Sequence, residues 1–247
     1  MRSPVWAAAA LALTTAGSAA ADVTIAYKLT EDGQPKGTSA QYVSSEKMRL
    51  EQPDQDMIVE FATSKMTFID KKKNEYWEVT CAELKSAMES AQKKMDESMA
   101  KIPPAMREKM AGMMGGGGQF TVTPGTGSRK IAGYDAHPYT VAMGAVMQQE
   151  LWAAEIAIPQ PAIDARACLT LANPMMKNAT KAVEEMKKVK GFPLAESTTV
   201  KIMGKTKTSG KEATEVKTSA IPASVFALPA GAKKVESPLA KMLKSGQ

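Results

Sequence analysis

The chain has 247 residues, of which 44% are hydrophobic and 23% are charged, an ordinary composition for a globular protein large enough to bury a core. Its formal net charge is +6, but the lysines are scattered and only 5% of the residues are aromatic. Because bases are bound by stacking as well as by charge, this pattern argues against nucleic-acid binding. Outside the N-terminal segment, no apolar run is long enough to span a membrane.

The first 21 residues have the pattern of a secretory signal peptide. Arg2 precedes a mostly apolar run over 5–13, and small residues end at Ala21. The apolar run is well short of the roughly 20 residues that a spanning helix needs. We therefore predict cleavage between Ala21 and Asp22 and a periplasmic or secreted protein, with an uncleaved anchor as the alternative. Since the residue directly after the cleavage site is Asp22 and not a cysteine, we do not expect a lipid anchor.

Residues 22–80 have the pattern of sequential short strands. Val23–Leu29 alternates with a period of two, as a half-buried strand does, and 31–37 is rich in turn-forming residues. Five further strand-like runs follow, separated by short polar breaks. This pattern predicts an antiparallel meander.

The period changes to that of a helical insertion over 81–114. Thr80 and Glu83 have the spacing of a capping box at its start, and prolines follow Ile102. The apolar stripe of this helix is rich in methionine, including Met88, Met95 and Met99. Such a stripe either packs on the sheet or forms an adaptable apolar lid, because methionine side chains repack around varied ligands.

Strand pattern returns after the glycines at 115–118. We predict helices over 161–171 and 175–189, then a last hairpin of 194–203 and 212–220 joined by a loop over 204–210. An extended ending over 221–235 and a flexible tail over 236–247 complete the chain. The elements predict an α+β fold in which a curved antiparallel sheet, a half-barrel, carries helical insertions that cover its concave face. Residues 22–235 would form a single domain.

The only two cysteines are Cys81 and Cys168. In an exported chain they suggest one disulfide, and two separate buried thiols are the alternative. There is no CxxC motif, so a redox enzyme has little support.

Several segments resemble a family of exported bacterial proteins known only as a domain of unknown function. That family is in turn similar to the lipoprotein-carrier superfamily of periplasmic proteins. The resemblance implies a curved antiparallel half-barrel whose mouth is plugged by helices, and it implies a carrier-like role. The segments that carry it are Lys130–Tyr134, Tyr139–Val141, Glu150–Glu155, Gly191–Leu194 and Phe226–Val235.

No catalytic motif stands out, and we predict no enzyme activity, no cofactor and no metal site. The single histidine, His137, precedes a proline and favours a structural or exposed role. The leading hypothesis is a binding or carrier-like protein whose apolar groove takes a lipid, an acyl chain or a hydrophobic segment. The predicted ligand-binding residues are Met88, Met95, Met99, Trp77 and Trp152.

Two alternatives stay open. One is a structural or interaction protein of the cell envelope, with an envelope protein as partner and no small ligand. The other is a methionine-rich protein that binds a soft metal such as copper through Met110, Met113 and Met114, since thioethers favour Cu(I).

Overall fold

A computed structural model describes residues 22–103, 106, 119–171, 179–202 and 204–238. The predicted signal peptide, including Ala21, lies outside the described residues. So do Met110, Met113, Met114, most of the predicted tail and the side chain of Met95.

The described residues form a large, curved antiparallel sheet that does not close on itself. Six strands make the predicted meander: β1 (Val23–Glu31), β2 (Gln34–Val43), β3 (Lys47–Glu51), β4 (Gln55–Glu60), β5 (Lys65–Asp70) and β6 (Glu75–Thr80). The second half contains β7 (Phe120–Pro124), β8 (Arg129–Ile131), β9 (Tyr134–Met143), β10 (Met147–Ala154), β11 (Phe192–Ile202), β12 (Lys205–Thr218) and β13 (Lys233–Lys234).

The strand order explains how the two halves join. It runs β13-β6-β5-β4-β3-β2-β1-β12-β11-β10-β9-β7, with β8 paired to β9. The first strand therefore pairs with the twelfth, and this pair joins the meander to the second half of the sheet. Only β13 runs parallel to its neighbour, β6.

Three helices accompany the sheet in the described residues: α1 (Cys81–Ala100), α2 (Gln160–Leu171) and α3 (Ala179–Met186). Helix α1 begins at the predicted capping box. The Glu83 amide donates to Thr80 Oγ1 at 3.2 Å, and Glu83 Oε2 accepts from the Thr80 amide at 2.7 Å. Helices α2 and α3 lie between β10 and β11 along the chain. No described helix is both long and apolar enough to cross a membrane.

The register of the strands defines two faces. One carries the buried residues Val43, Met48, Val59, Met66 and Val79, and Ala162 of α2 packs among them. We call this side the helix face. Ala182 of α3 packs on its continuation over β7, β9 and β10. The intervening residues point to the opposite face.

A C-terminal strap, residues 221–235, lies against the opposite face. Arg49, which follows Met48 on β3, donates from Nη1 to the carbonyl oxygens of Val225 at 2.6 Å and Ala227 at 3.3 Å. The strap then ends as β13, where the Val235 amide donates to the Tyr76 carbonyl at 2.8 Å. The predicted extended ending thus includes a 3-10 turn at Ala223–Phe226 and becomes part of the sheet.

Asp56 is the buried carboxylate that pairs with Arg49. Its side chain is 1% exposed, forms a salt bridge with Arg49 and accepts from Lys71 Nζ at 2.9 Å. Burying a carboxylate is costly unless it is paired and hydrogen-bonded, and here two cations and the Gln52 amide share it. The cluster therefore fixes Arg49 for its contacts with the strap.

The structure corrects the predicted loop over 204–210. Strand β12 already begins at Lys205, opposite Ile202, and pairs with β11 continuously through Glu212. The glycines misled the prediction. Gly204 supplies the tight turn with φ +75°, whereas Gly210 is a regular strand residue that pairs with Ser197.

Candidate ligand-binding cavity

An apolar cavity of about 440 Å³ lies among α2, α3 and the segment that joins β10 to α2. Its volume falls within the range of small-molecule sites, roughly 300–1,000 Å³. Three polar side chains, Gln160, Asp164 and Lys187, contribute to the lining. The other side chains that line it are apolar: Ile156, Ile158, Ile163, Val183, Met186, Val189, Phe192 and Pro193.

The floor of the cavity belongs to the core. Phe192 is 4% exposed and packs with the buried residues of β1 and β11, and Ile156 and Ile158 lie against the same cluster. Gly191, just before Phe192, has φ +89°, and a Cβ placed there would lie 2.3 Å from the Ala154 carbonyl oxygen. Only glycine lets the chain enter β11 this close to the end of β10.

Helix α3 forms one wall. Ala182 faces the sheet, where it is buried with Val141 and Leu151, and Val183 lines the cavity. The chain after α3 is held by Tyr139, whose buried hydroxyl accepts from the Lys190 amide at 3.1 Å. These contacts fix the wall to strand β9.

Helix α2 forms the facing wall. Ala162 is buried against the meander, while Ile163 lines the cavity and stays 47% exposed.

The predicted disulfide is present and positions α2. Cys81 and Cys168 are bonded, with their Cα atoms 6.1 Å apart, so the start of α1 is covalently tied to α2. Both cysteines line a second cavity of about 250 Å³, on the side of α2 that faces β4 and β5. Asp164 borders both cavities.

The polar groups of the main cavity lie at its rim. Lys187 Nζ is 2.7 Å from Glu184 Oε1, and both side chains are largely exposed. Asp164 accepts from Gln160 Nε2 at 3.0 Å. The cavity thus combines an apolar interior with a rim that carries both signs of charge.

The residues predicted to bind the ligand do not meet at this cavity. Met88 and Met99 are half-buried on α1, and neither belongs to its described lining. Trp77 lies on the helix face and stacks on Phe68, with ring centroids 5.6 Å apart. Trp152 lies on the opposite face, because it pairs with Ala195 in the row that continues to Glu212 and Lys28.

The cavity lining was therefore missed by the sequence prediction. A signal for one wall was present, since Ala182, Val183, Met186 and Val189 fall at helical spacing within the predicted helix 175–189. The pairing of that wall with Ile163 depends on how two helices pack, which no local pattern encodes.

Within the described residues, no group of three or more His, Cys, Asp or Glu side chains could hold a metal ion. His137 lies exposed on β9, with Nδ1 3.3 Å from the Gly127 carbonyl oxygen.

Comparisons with known proteins identify no family for this chain. No protein-family profile and no curated protein matches it. A structure of PNGF-II is similar at 14% identity with a TM-score of 0.43, covering 91% of this chain, which spans about a third (32%) of that protein. An uncharacterized conserved protein from Thermus thermophilus has 9% identity and a TM-score of 0.43, over 87% of this chain and 90% of that one. Similarity at this level identifies neither a shared fold nor a shared function.

Proposed function

We propose that this protein is an exported, non-enzymatic binding or carrier-like protein whose cavity between α2 and α3 takes an acyl chain or another apolar segment. In this proposal the helices cover the concave face of the curved sheet, and the cavity is the space that they leave. The observation that carries the proposal is an apolar interior of about 440 Å³ with Asp164 and Lys187 at its rim.

The driving force for binding would be burial of apolar surface. Each buried methylene contributes about 0.8 kcal/mol, so ten methylenes would contribute roughly 8 kcal/mol before the entropic cost of binding. A net affinity near the micromolar range corresponds to about 8 kcal/mol, so we expect micromolar or weaker binding of a single chain. A rim with both charge signs leaves the polar head of an amphiphile in contact with water.

The test is a titration with a fatty acid that carries an environment-sensitive fluorophore. We compare the wild type with Val183→Trp, which fills the cavity, and with Lys181→Trp, which puts the same side chain at an exposed position of α3. Binding should weaken about tenfold or more in the first variant and stay unchanged in the second. Absence of binding to the wild type, or equal binding by all three proteins, contradicts the proposal.

Export is tested separately. Mass analysis of the protein recovered from the periplasm of a bacterial host should show an N-terminus at Asp22 and an intact disulfide. Recovery of the chain in the cytoplasm with the N-terminal segment retained contradicts the location and leaves the cavity to be judged by the titration.

The methionines of α1 belong to the proposal as a second contact surface for the ligand. Replacing Met88 and Met99 together by glutamine should weaken fatty-acid binding if α1 reaches the bound chain. Unchanged affinity would restrict the site to α2, α3 and the β10–β11 region.

A further inference from the structure

A polar trough of about 320 Å³ lies on the opposite face of the sheet, where β10, β11, β12 and β1 run side by side. Its floor is made of small residues. Ser197 pairs with Gly210, and Gly210 pairs with Thr30, so three neighbouring strands carry short side chains or none in one row. The depression exists because longer residues surround this row.

Trp152 forms one wall. The Arg129 guanidinium lies 4.7 Å from the centre of its indole ring, and the indole Nε1 donates to Glu150 Oε1 at 2.6 Å. Arg129 comes from β8 and also donates to Glu212 Oε2 at 2.9 Å. The orientation of the indole is therefore set by two charged neighbours, one above the ring and one at its edge.

The charged groups of the trough are balanced. Glu212 lies between Lys28 at 3.0 Å and Arg129. Burial alone raises the pKa of Glu212, but the hydrogen bonds from Lys28 and Arg129 outweigh it and bring the pKa below its ordinary value, so this carboxylate is ionised at neutral pH. Glu196 and Lys211 border the trough, but their side chains alternate to the helix face and pair with each other there. The charged side chains on the trough side are therefore two cations and two carboxylates: Lys28, Arg129, Glu150 and Glu212.

This balance of positive and negative groups favours a ligand without net charge. An anion or a cation would gain attraction from one set of groups and repulsion from the other, and it would have to displace ion pairs that already exist. A neutral ligand whose groups both donate and accept hydrogen bonds can use the remaining lone pairs of the carboxylates and the N–H groups of the cations without breaking a pair. Hydroxyl groups have this property.

We propose that the trough is a binding site for a neutral saccharide, seated as a single pyranose ring. The ring hydroxyls would bond to Glu150, Glu212, Lys28 and the hydroxyls of Ser197 and Thr30. The apolar C–H side of the ring would pack against the face of the Trp152 indole that Arg129 does not cover. That face would supply dispersion contact and an apolar surface. This site lies on the face away from the cavity between α2 and α3, so it is a second function and does not depend on the first.

The experiment uses the full chain with Trp77→Phe, which leaves Trp152 as the reporter in the described residues. The probes are methyl glucoside and N-acetylglucosamine, with glycine as the zwitterion and inorganic phosphate as the anion. Tryptophan fluorescence and saturation-transfer NMR on the sugar protons measure binding. We expect saturating changes with at least one sugar at about millimolar concentration, and transfer to ring C–H protons.

Two variants make the test specific. Ser197→Tyr fills the floor of the trough, and Thr218→Tyr puts the same side chain at an exposed end of β12. Sugar affinity should fall about tenfold or more in the first and stay unchanged in the second. Val183→Trp should leave it unchanged as well. The proposal is overturned if no sugar binds up to about 50 mM, if Ser197→Tyr binds sugar like the wild type, or if phosphate or glycine binds in preference to both sugars.

Discussion

The two faces of the sheet differ in how much buried ion pairs add to apolar burial. The helix face is held by apolar burial: Val43, Met48 and Met66 are each 2% exposed or less and pack under α2. The opposite face also buries Ile58 and Ile69. It adds ion pairs to this burial, from Arg49 and Asp56 under the C-terminal strap to Arg129 and Glu212 over the trough. Apolar burial is not directional, so the helix face can leave a cavity unfilled. Ion pairs require each partner in place, so the opposite face depends on single residues.

The largest expected effect comes from breaking the covalent link on the helix face. The disulfide closes a loop of 87 residues, and loop entropy predicts a contribution of roughly 4 to 5 kcal/mol. Replacing Cys81 and Cys168 by serine should lower the free energy of unfolding, measured in urea, by an amount of this order. Adding a reductant to the wild type should reproduce the loss and leave the double variant unaffected. Equal stability of the two proteins would contradict the entropic role of the link.

The next effect comes from the opposite face. Asp56→Ala leaves Arg49 and Lys71 without their shared, almost fully buried carboxylate, and breaking such a pair costs about 3–5 kcal/mol. The control lies two residues away, since Asp54 pairs with Lys72 where both side chains are about 70% exposed. Asp54→Ala should cost less than about 0.5 kcal/mol. Similar urea midpoints for the two variants would show that burial of Asp56 has no energetic consequence.

The floor of the cavity gives a third test. Gly191→Ala forces a Cβ against the Ala154 carbonyl at a positive φ, and we expect a loss of about 3 kcal/mol from overpacking and backbone strain together. Gly133 has the same φ of +89°, but a Cβ added there would meet no atom within 4 Å. Gly133→Ala should therefore cost only the strain, about 1 kcal/mol. The difference in unfolding free energy isolates the close approach at Gly191. Equal losses of stability in the two variants would contradict the close approach of Gly191 to the Ala154 carbonyl.

The smallest effect concerns the start of α1. Thr80→Ala removes the side-chain half of the capping box and should cost about 1 kcal/mol at pH 7, measured by urea unfolding. A matched change at Thr218, an exposed strand residue, should have little effect.

The same cap carries a pH dependence. Hydrogen bonds from the backbone and hydroxyl of Thr80 lower the pKa of Glu83 below its ordinary value. A lowered pKa in the folded state stabilises the fold above the ordinary pKa, and this contribution is lost as the pH falls through the lowered one. The protection of the first-turn amides of α1 against hydrogen exchange, after correction for the intrinsic pH dependence of exchange, should therefore fall as the pH drops below about 4.5. Glu83→Gln should remove that dependence.

The sequence predicted those features that depend on neighbouring residues. The alternation of Val23–Leu29 identified β1, and Thr80 and Glu83 placed the start of α1 correctly. The disulfide followed from counting, because two cysteines leave only one possible pairing. The first two signals come from residues close together in the chain and the third from the number of cysteines. Tertiary packing did not override them.

The features that were missed arise from contacts between distant segments. Ile163 and Val183 line one cavity because two helices meet, and Trp152 faces away from Trp77 because of strand register across the whole sheet. Asp56 looks like a turn residue in sequence, and only the strap and Arg49 make it buried. Side-chain burial at such positions is a property of the assembled sheet.

An unclosed sheet has two ends, and both are occupied in this chain. At one end β13 lies along β6, and Lys234 pairs with Glu78 beside it. At the other, the outward amide of Val122 on β7 donates to Glu185 Oε2 at 2.9 Å, so a side chain from α3 takes the place of a neighbouring strand. Bare strand edges template pairing with other chains and lead to aggregation. The strap and Glu185 thus cover the two ends of the described sheet and oppose its extension by strands of other chains.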